Sequence, residues 1–206
     1  MTELPARFPL PLDTIAAAFA VSASKSKDYT PTAEQISLHG LGFLQIKLPG
    51  NRRIHVWHPD LPRRSCYHHS AIHNHRFGFR STVLIGEQVN QRYAVWPSEH
   101  GSYDRISHDG PRSEKGGRLS YVDGRVNIEP LARERYGPGE SYDMPALHYH
   151  ETPNLGRCVT LMEKLVEGEV HASSLITHGE EFDQSFDRFQ MAAADMWAIF
   201  VEAMQG

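Results

Sequence analysis

Four histidines lie within eight positions of one segment, "CYHHSAIHNHRFGFRSTVLIGE" (66–87). Two of them, His73 and His75, stand two residues apart, and side chains with that spacing point to the same face of an extended strand. A second pair with the same spacing, His148 and His150, occurs in "ALHYHETPN". Two such imidazole pairs suit a transition-metal site, because zinc and non-haem iron take nitrogen ligands and keep a coordination position open. We therefore predict a metal site whose ligands come from His73, His75, His148 and His150.

The composition of the chain narrows the classes of function. A net charge of −4 over 206 residues, with only short basic stretches, argues against a nucleic-acid partner, which would require a basic face. No apolar run approaches the roughly 18 residues that a membrane span needs. The two cysteines, Cys66 and Cys158, are too few for a disulfide framework and favour reduced thiols in the cytoplasm. We therefore expect a cytoplasmic protein whose partner is a small-molecule substrate, with no nucleic acid and no membrane.

The elements that must position the histidines have the patterns of short β-strands. Apolar and polar residues alternate in "GFLQIKLP" and "RIHVWHP", as in a half-buried strand, and "STVLIGE" fits a short buried strand. The dipeptide Asp123-Gly124 predicts the turn of a hairpin within residues 119–130. Residues 98–118 are polar and predict a long loop. Further strands are predicted within residues 88–97, 132–154 and 157–168.

Helices are predicted at the two ends of the chain. Residues 12–24 favour a short helix capped by Asp13, and Thr32 offers a second helix start. Apolar residues at three- and four-residue steps from Phe182 to Met204 predict a C-terminal amphipathic helix that packs on the sheet or between subunits. Many short strands between helical flanks predict a mainly β protein, either a sandwich or a small barrel, in a single domain.

Two stretches of the chain resemble the sequence motifs of the cupin superfamily. The first, "IHNHRFGFRSTVLIGE", has a histidine pair, a spacer, an apolar strand and then Gly86. The second, "YGPGESYDMPALHYHETPNLGRCVTLM", has a glycine turn, a proline before a histidine and a closing strand. The resemblance covers roughly residues 40–165 and implies a cupin-type double-stranded β-helix, also called a jelly-roll barrel. It divides the chain into an N-terminal helical or extended segment at 1–39, a barrel at 40–170 and a C-terminal helix at 171–206.

The first motif departs from the common cupin pattern in a way that points to one branch of the superfamily. Cupins commonly have a glutamate ligand a few residues after the histidine pair, and Phe79 or Arg80 stands there in this chain. A three-histidine site is left, as in the thiol dioxygenases, and residues 70–97 are similar in layout to the corresponding part of cysteine dioxygenases. The resemblance implies iron(II) as the cofactor, held by His73 and His75, although three histidines also suit zinc or nickel.

The third ligand stays open between two residues. The spacing from the preceding proline and to the following strand favours His148, whereas the H-x-x-P layout of thiol dioxygenases favours His150. Both side chains would share one face of an extended strand, so both are candidate metal ligands beside the first pair.

Residues near the first motif are candidates for contacts with a substrate. Three neutral imidazoles leave the charge of the iron uncompensated, so that an anionic thiolate and dioxygen can bind side by side. Arg76 and Arg80 flank the motif and are predicted to clamp a substrate carboxylate, and Tyr93 is predicted to donate a hydrogen bond. These three are the predicted catalytic residues of a metal-dependent dioxygenase acting on a small molecule. Other candidates for the same roles are Arg92, Tyr142 and Tyr149.

Two other functions fit the same resemblance. An isomerase or epimerase would use a histidine oriented by a carboxylate for acid–base chemistry, and His148 with Asp143 or Glu151 offers such a pair. A non-catalytic module would bind a small molecule without turnover, because one barrel hosts many functions. The apolar face of the C-terminal helix also favours a homodimer.

Overall fold

The computed structural model describes residues 36–48, 50–153, 156–167 and 170–204. In these residues the chain forms antiparallel strands, a short 3-10 helix at Ser65–His68 and a helix near the C-terminus. No described helix has the length and apolar character that a membrane crossing requires. The strands are β1 (Ile36–His39), β2 (Phe43–Leu48), β3 (Arg52–Trp57), β4 (Phe77–Gly86), β5 (Gln88–Pro97), β6 (Tyr103–Ser107), β7 (Tyr121–Tyr136), β8 (Ser141–Met144), β9 (Tyr149–Glu151), β10 (Cys158–Glu167) and β11 (Ser173–Thr177), and the helix is α1 (Ala193–Met204).

The strands form two antiparallel sheets. The six-stranded sheet has the order β1-β2-β3-β10-β4-β8, and the five-stranded sheet has the order β11-β6-β7-β5-β9. The predicted mainly β class is therefore confirmed, and so are the strands predicted around β2, β3, β4, β5 and β10. The jelly-roll barrel itself stays a prediction, with which this pair of sheets is compatible.

A single extended segment joins the two edges of the five-stranded sheet. His73 forms isolated bridges to His150 in β9 and to Ser174 in β11, which are the edge strands of that sheet. The backbone N–H of His73 donates to the His150 carbonyl at 2.9 Å, and the reverse bond is also 2.9 Å. On the other side, the N–H of Asn74 donates to the Ser173 carbonyl at 2.9 Å. Because both edges are paired, the sheet curls around the segment that carries the histidine pair.

The six-stranded sheet buries one apolar face against α1. Ile54 and Val56 of β3 lie in one core cluster with Met196 and Phe200 of the helix. Since side chains alternate along a strand, His55 between them points to the opposite face. In β1, Ile36 and Leu38 belong to the same cluster, which places Ser37 and His39 on that opposite face as well. This second face, turned away from the helix, is called the inner face below.

The two sheets pack against each other through the inner face. Val83 of β4 and Cys158 of β10 form a buried cluster with Ile106 of β6 and Ile176 of β11. The adjacent Leu175 belongs to a separate cluster on the far side of the five-stranded sheet. The side chains of His39 and His55, which share the inner face, therefore lie on the side of the six-stranded sheet that faces the other sheet.

The predicted hairpin in the middle of the chain is wrong, and the predicted loop before it is interrupted by a strand. Residues 121–136 form the single strand β7, so Asp123-Gly124 is not a hairpin turn. Gly124 does adopt a φ of 84°, and the irregular pairing of β6 with β7 beside it accommodates that conformation. The predicted loop at 98–118 contains β6, whose sequence was too polar to indicate a strand. Its neighbour β11 likewise lies inside the segment predicted as the C-terminal helix.

The C-terminal helix is confirmed only from Ala193 onward. Two aspartates upstream bind the backbone instead of continuing a helix: Asp183 accepts the N–H of Ser185 at 2.8 Å, and Asp187 accepts that of Phe189 at 2.8 Å. These local bonds form turns, and the apolar residues between them pack without helical geometry. The predicted helix start at Thr32 is wrong where the chain is described, because 36–39 is a strand. The predicted helix at 12–24 lies outside the described residues.

Candidate metal centre

Three histidines from the two predicted pairs converge at one point. The ligand nitrogens of His73, His75 and His150 all lie within 4.8 Å of one another. The Nε2 atoms of His75 and His150 are 3.1 Å apart. Two nitrogens bound to one ion at 2.0–2.1 Å stand about 3.3–3.4 Å apart at the tetrahedral angle and about 2.8–3.0 Å apart at 90°, so the observed separation lies between these limits and is compatible with a shared ion. The group could therefore bind a transition metal.

The backbone fixes where these side chains lie. His73 and His150 face each other as a mutually hydrogen-bonded pair, so their side chains emerge on one side of the pairing. His75 follows two residues later in an extended segment, and its ring centroid is 4.7 Å from that of His73. The carbonyl of His75 accepts the N–H of Leu147 at 2.7 Å, which holds the segment against the turn before β9.

Hydrogen bonds at Nδ1 orient two of the three rings. His73 Nδ1 is 2.9 Å from the Ala71 carbonyl oxygen, and His150 Nδ1 is 2.7 Å from Asn90 Oδ1. A carbonyl oxygen only accepts, so each Nδ1 must carry the proton and each Nε2 keeps its lone pair. This is the usual arrangement of histidines that bind metals, in which the second nitrogen donates to an oxygen of the protein.

The orientation of Asn90 is itself fixed by a carboxylate. Asn90 Nδ2 donates to Glu134 Oε2 at 2.9 Å, and Arg92 Nε donates to the same oxygen at 2.9 Å. Because the amide nitrogen faces a carboxylate, the amide oxygen must face His150. Asn90 and His150 are both buried, so the hydrogen bond between them is shielded from solvent, whereas the Glu134 and Arg92 side chains are partly exposed.

Burial keeps the three imidazoles neutral. Desolvation lowers the pKa of His73 to about 4, against a weaker opposing effect of its bond to Ala71. The pKa of His75 is held well below its usual range by desolvation and then by the charge of the neighbouring histidines. Desolvation, followed by the charges of His73 and Arg92, lowers the pKa of His150 in the same way. All three rings are therefore neutral imidazoles near neutral pH, with one nitrogen free of a proton, as metal ligation requires.

Aromatic rings line one side of the three-histidine group. The ring centroid of His75 lies 5.3 Å from that of Phe77 and 5.0 Å from that of Phe79. Phe79 also contacts His150 at 6.1 Å. These rings belong to a buried cluster with Tyr142 and Met144. They exclude water from that side of the group.

The structure places the two candidates for the third ligand in different positions. His150 joins the group and has 2% of its surface exposed, whereas His148 is exposed to solvent. The cause is the turn before β9, where Leu147 adopts a φ of 64° in the left-handed region. The strand starts only after this turn, so alternation does not extend back from His150 to His148.

Two of the three predicted substrate-binding residues, Arg80 and Tyr93, are bound to carboxylates outside this group. Arg80 forms an exposed bidentate pair with Asp143, at 2.8 and 2.9 Å. The hydroxyl of Tyr93 donates to the Glu151 carboxylate, and its ring packs on the far side of the five-stranded sheet. Arg76 is exposed. The catalytic roles of all three residues stay predictions.

The remaining candidates are also engaged elsewhere. Arg92 binds Glu134 and, through Nη2, the Asp143 carbonyl at 3.0 Å. Tyr142 Oη accepts from Gln88 Nε2 at 3.1 Å, and Tyr149 Oη lies 2.6 Å from Ser173 Oγ. Neither Asn90 nor His55 was predicted from the sequence as part of the site. Their positions in strands, on the face toward the three-histidine group, were the signal that could have indicated them.

Comparison with known proteins gives no family. A scan of protein-family profiles finds no match for the chain, and a search of curated proteins finds no matching sequence. The two antiparallel sheets and the three-histidine group are compatible with a cupin-like fold. Function must therefore be inferred from the geometry of the site.

Proposed function

We propose that this protein is a metal-dependent dioxygenase with a three-histidine iron(II) site acting on a small molecule. The observation that carries the proposal is the convergence of His73, His75 and His150 as neutral ligands, two of them with Nδ1 already bound to oxygen acceptors. Zinc and nickel accept the same ligands, so the choice of iron rests on the resemblance of the first motif to thiol dioxygenases.

The ligand set favours an anionic substrate. Three neutral imidazoles would leave the full charge of a divalent ion uncompensated, and no carboxylate belongs to the group among the described residues. A bound iron(II) would supply open coordination positions at which an anionic substrate group and dioxygen are held together. The protein's part is to bring the reactants into one geometry and to keep bulk water away.

Two sets of residues perform that part. Asn90, held by Glu134, keeps the His150 ring in a fixed rotation and tautomer. Phe77 and Phe79 form an apolar wall against His75, which confines a substrate to the opposite side. Asn90, Phe77 and Phe79 have no titratable group, so their role is positioning.

The acid–base alternative has less support. The isomerase proposal needs a histidine oriented by a carboxylate, and His148 is exposed. Of its two candidate partners, Asp143 is paired with Arg80 and Glu151 accepts the hydroxyl of Tyr93. A binding module without catalysis would use the same three-histidine group, and turnover of a substrate distinguishes it from the dioxygenase.

Metal content is the first test of the proposal. Untagged protein is loaded anaerobically with iron(II), desalted and analysed for metal, together with His75→Ala, His150→Ala and the control His148→Ala. We expect about one ion per chain in wild type and the control, and loss of the ion in the other two. Circular dichroism checks that each variant is folded. A metal-free wild type, or equal loss in the control, contradicts the proposal.

Access of dioxygen is tested without knowing the substrate. Nitric oxide binds iron(II) at positions open to dioxygen, and electron paramagnetic resonance detects the product. We expect the signal in iron-loaded wild type and its absence in His75→Ala. Oxygen uptake is then measured with small thiols and small organic acids. Iron without a nitric oxide signal would mean a closed structural site and would refute the dioxygenase.

A further inference from the structure

Two neighbouring strands place four side chains next to one another on the inner face. His55 of β3 lies directly opposite Thr160 of β10, and Trp57 lies opposite Cys158. The residues that alternate with them belong to the apolar cluster against α1, so these four side chains point to the inner face. Opposed Cα atoms are about 4.5–5.5 Å apart, and alternate residues along a strand about 6–7 Å. The four side chains, called the β3–β10 patch below, are therefore within reach of one small ligand.

Three polar atoms of the β3–β10 patch have no hydrogen-bond partner in the protein. They are His55 Nε2, Trp57 Nε1 and Thr160 Oγ1, and all three are buried. Thr160 is completely buried, and Trp57 has 5% of its surface exposed. The ring of Phe43 contacts those of His55 and Trp57, at 4.6 and 4.5 Å, and closes the patch on the side of β2. Buried polar groups are normally satisfied, so three such atoms in one patch indicate a ligand that supplies the missing bonds.

The spacing of the opposed pair suits a bridging oxygen. His55 and Thr160 face each other in register, yet their side chains form no hydrogen bond to each other. Cβ atoms of such a pair are about 4.5–5.5 Å apart, and an oxygen at about 2.8 Å from both polar atoms spans up to about 5.6 Å. The Trp57 indole N–H can only donate, so it requires an acceptor. A hydroxyl oxygen both donates and accepts, and oxygens of this kind satisfy all three atoms.

The surroundings of the patch favour a neutral ligand. Apolar side chains from both sheets, among them Val83 and Ile176, pack in the same buried cluster as Trp57 and Cys158. Desolvation lowers the pKa of His55 to about 3 and raises that of the Cys158 thiol to about 12, so both groups are uncharged near neutral pH. A charged ligand would therefore lose its hydration without meeting a counter-charge within the patch.

We propose that the β3–β10 patch binds two neighbouring hydroxyl oxygens, one between His55 Nε2 and Thr160 Oγ1 and one that accepts the Trp57 indole N–H. Two sources supply this chemistry: resident water molecules, and a small neutral polyol whose adjacent hydroxyls occupy both positions. None of the four patch residues is a candidate metal ligand. The inference therefore goes beyond the proposed function and does not rest on it.

The sign of a stability change tests whether the Thr160 hydroxyl has a partner. Thr160→Val removes the hydroxyl and keeps the branched shape of the side chain. Removal of a buried hydroxyl without a partner raises the midpoint of urea unfolding, whereas removal of a hydroxyl bound to a ligand lowers it. We expect the midpoint to fall. A Thr160→Val protein whose midpoint rises or stays unchanged overturns the inference.

Thr82→Val is the matched control for this measurement. Thr82 lies in the adjacent strand β4, and its Oγ1 is bonded to Ser141 Oγ at 2.8 Å, so the variant loses a hydrogen bond within the protein. Its midpoint should fall, and the fall in Thr160→Val should be comparable. Thr160→Ser keeps the hydroxyl and should retain the bound oxygen, which the magnetic resonance measurement below detects.

Nuclear magnetic resonance identifies the source of the oxygens at Trp57. The full chain is studied with zinc(II), which keeps any bound metal diamagnetic, and the indole Nε1 proton is assigned by comparison with Trp57→Phe. Resident water predicts a nuclear Overhauser effect between this proton and water. A polyol site predicts that glycerol or ethylene glycol replaces that signal by a saturable effect from its carbon-bound protons. Either signal should weaken in Thr160→Val and persist in Thr160→Ser, and absence of both signals in wild type overturns the inference.

Discussion

Asn90 offers the sharpest test of how the three-histidine group is held together. Its side chain accepts from His150 Nδ1 at 2.7 Å and donates to Glu134 at 2.9 Å, in a completely buried position. Asn90→Leu keeps the approximate volume and removes both bonds. The His150 ring would then lose the acceptor that fixes its rotation and tautomer. Loss of such an outer partner costs about tenfold to a hundredfold in metal affinity, or about 1.4–2.7 kcal/mol.

The matched control is the next residue of the same strand. Gln91 is also a buried amide in β5, but it donates to the carbonyls of Arg92 and Ala132, at 3.1 and 3.2 Å, and does not contact the histidines. Both Asn90→Leu and Gln91→Leu leave buried polar groups unpaired, so each should lower the free energy of unfolding of the metal-free protein by about 1–3 kcal/mol. Only the change at Asn90 should also weaken metal binding.

The assay is competition for cobalt(II) or zinc(II) against a chromophoric chelator, with urea unfolding of the metal-free proteins measured alongside. A dissociation constant in Asn90→Leu within threefold of that in Gln91→Leu would refute the reasoning. In that case the backbone pairing of His73 with His150 would suffice to orient the ring. The same conclusion would follow if, in both variants, the loss of metal affinity were proportional to the loss of the free energy of unfolding.

Two further predictions concern the fold. Gly86→Ala should lower the free energy of unfolding in urea by about 2–5 kcal/mol, because a Cβ at this position, where φ is 76°, would lie 2.2 Å from the Arg157 carbonyl oxygen. The control is Gly139→Ala, where φ is 85° and the space is open, and it should lower that free energy by only about 1–2 kcal/mol. Equal losses in the two variants would contradict the close contact at Gly86. Desolvation lowers the pKa of His55 from 6.5 to about 3, so the unfolded chain binds more protons below pH 6.5 and stability should fall as the pH falls toward 3. In metal-free His55→Phe the slope between pH 6 and 4 should be smaller by about 1.4 kcal/mol per pH unit, and an unchanged slope would exclude His55 as its source.

The sequence predicted best where one face of a strand is apolar. Apolar and polar residues alternate in β2 and β3, and β4 and β10 carry apolar runs, so the burial of these strands is visible in their sequences. β6 has no such pattern, because Ile106 is its only apolar residue directed into the core between the sheets. Its place is determined by pairing with β7 and β11, and those contacts are distant in sequence. The early part of the predicted C-terminal helix failed for a local reason, since Asp183 and Asp187 form turns that compete with helical bonds.

The candidate metal centre was predictable in its first pair and open in its third ligand. Spacing alone placed His73 and His75 on one side of an extended segment. The choice between His148 and His150 depends on where β9 begins, and that is decided by the left-handed Leu147, which no propensity favours.

The same backbone bonds join the two edges of the five-stranded sheet to the histidine segment and assemble the candidate metal centre. His73 and His150 exchange two hydrogen bonds of 2.9 Å, and these bonds both join the sheet edge and fix two ligands side by side. Strand pairing thus determines the positions of these two histidines before any ion binds. Little conformational entropy remains to be lost when an ion binds, which favours affinity. By linkage, an ion that binds only this closed arrangement must in turn stabilise the pairing of β9 and β11 with the histidine segment.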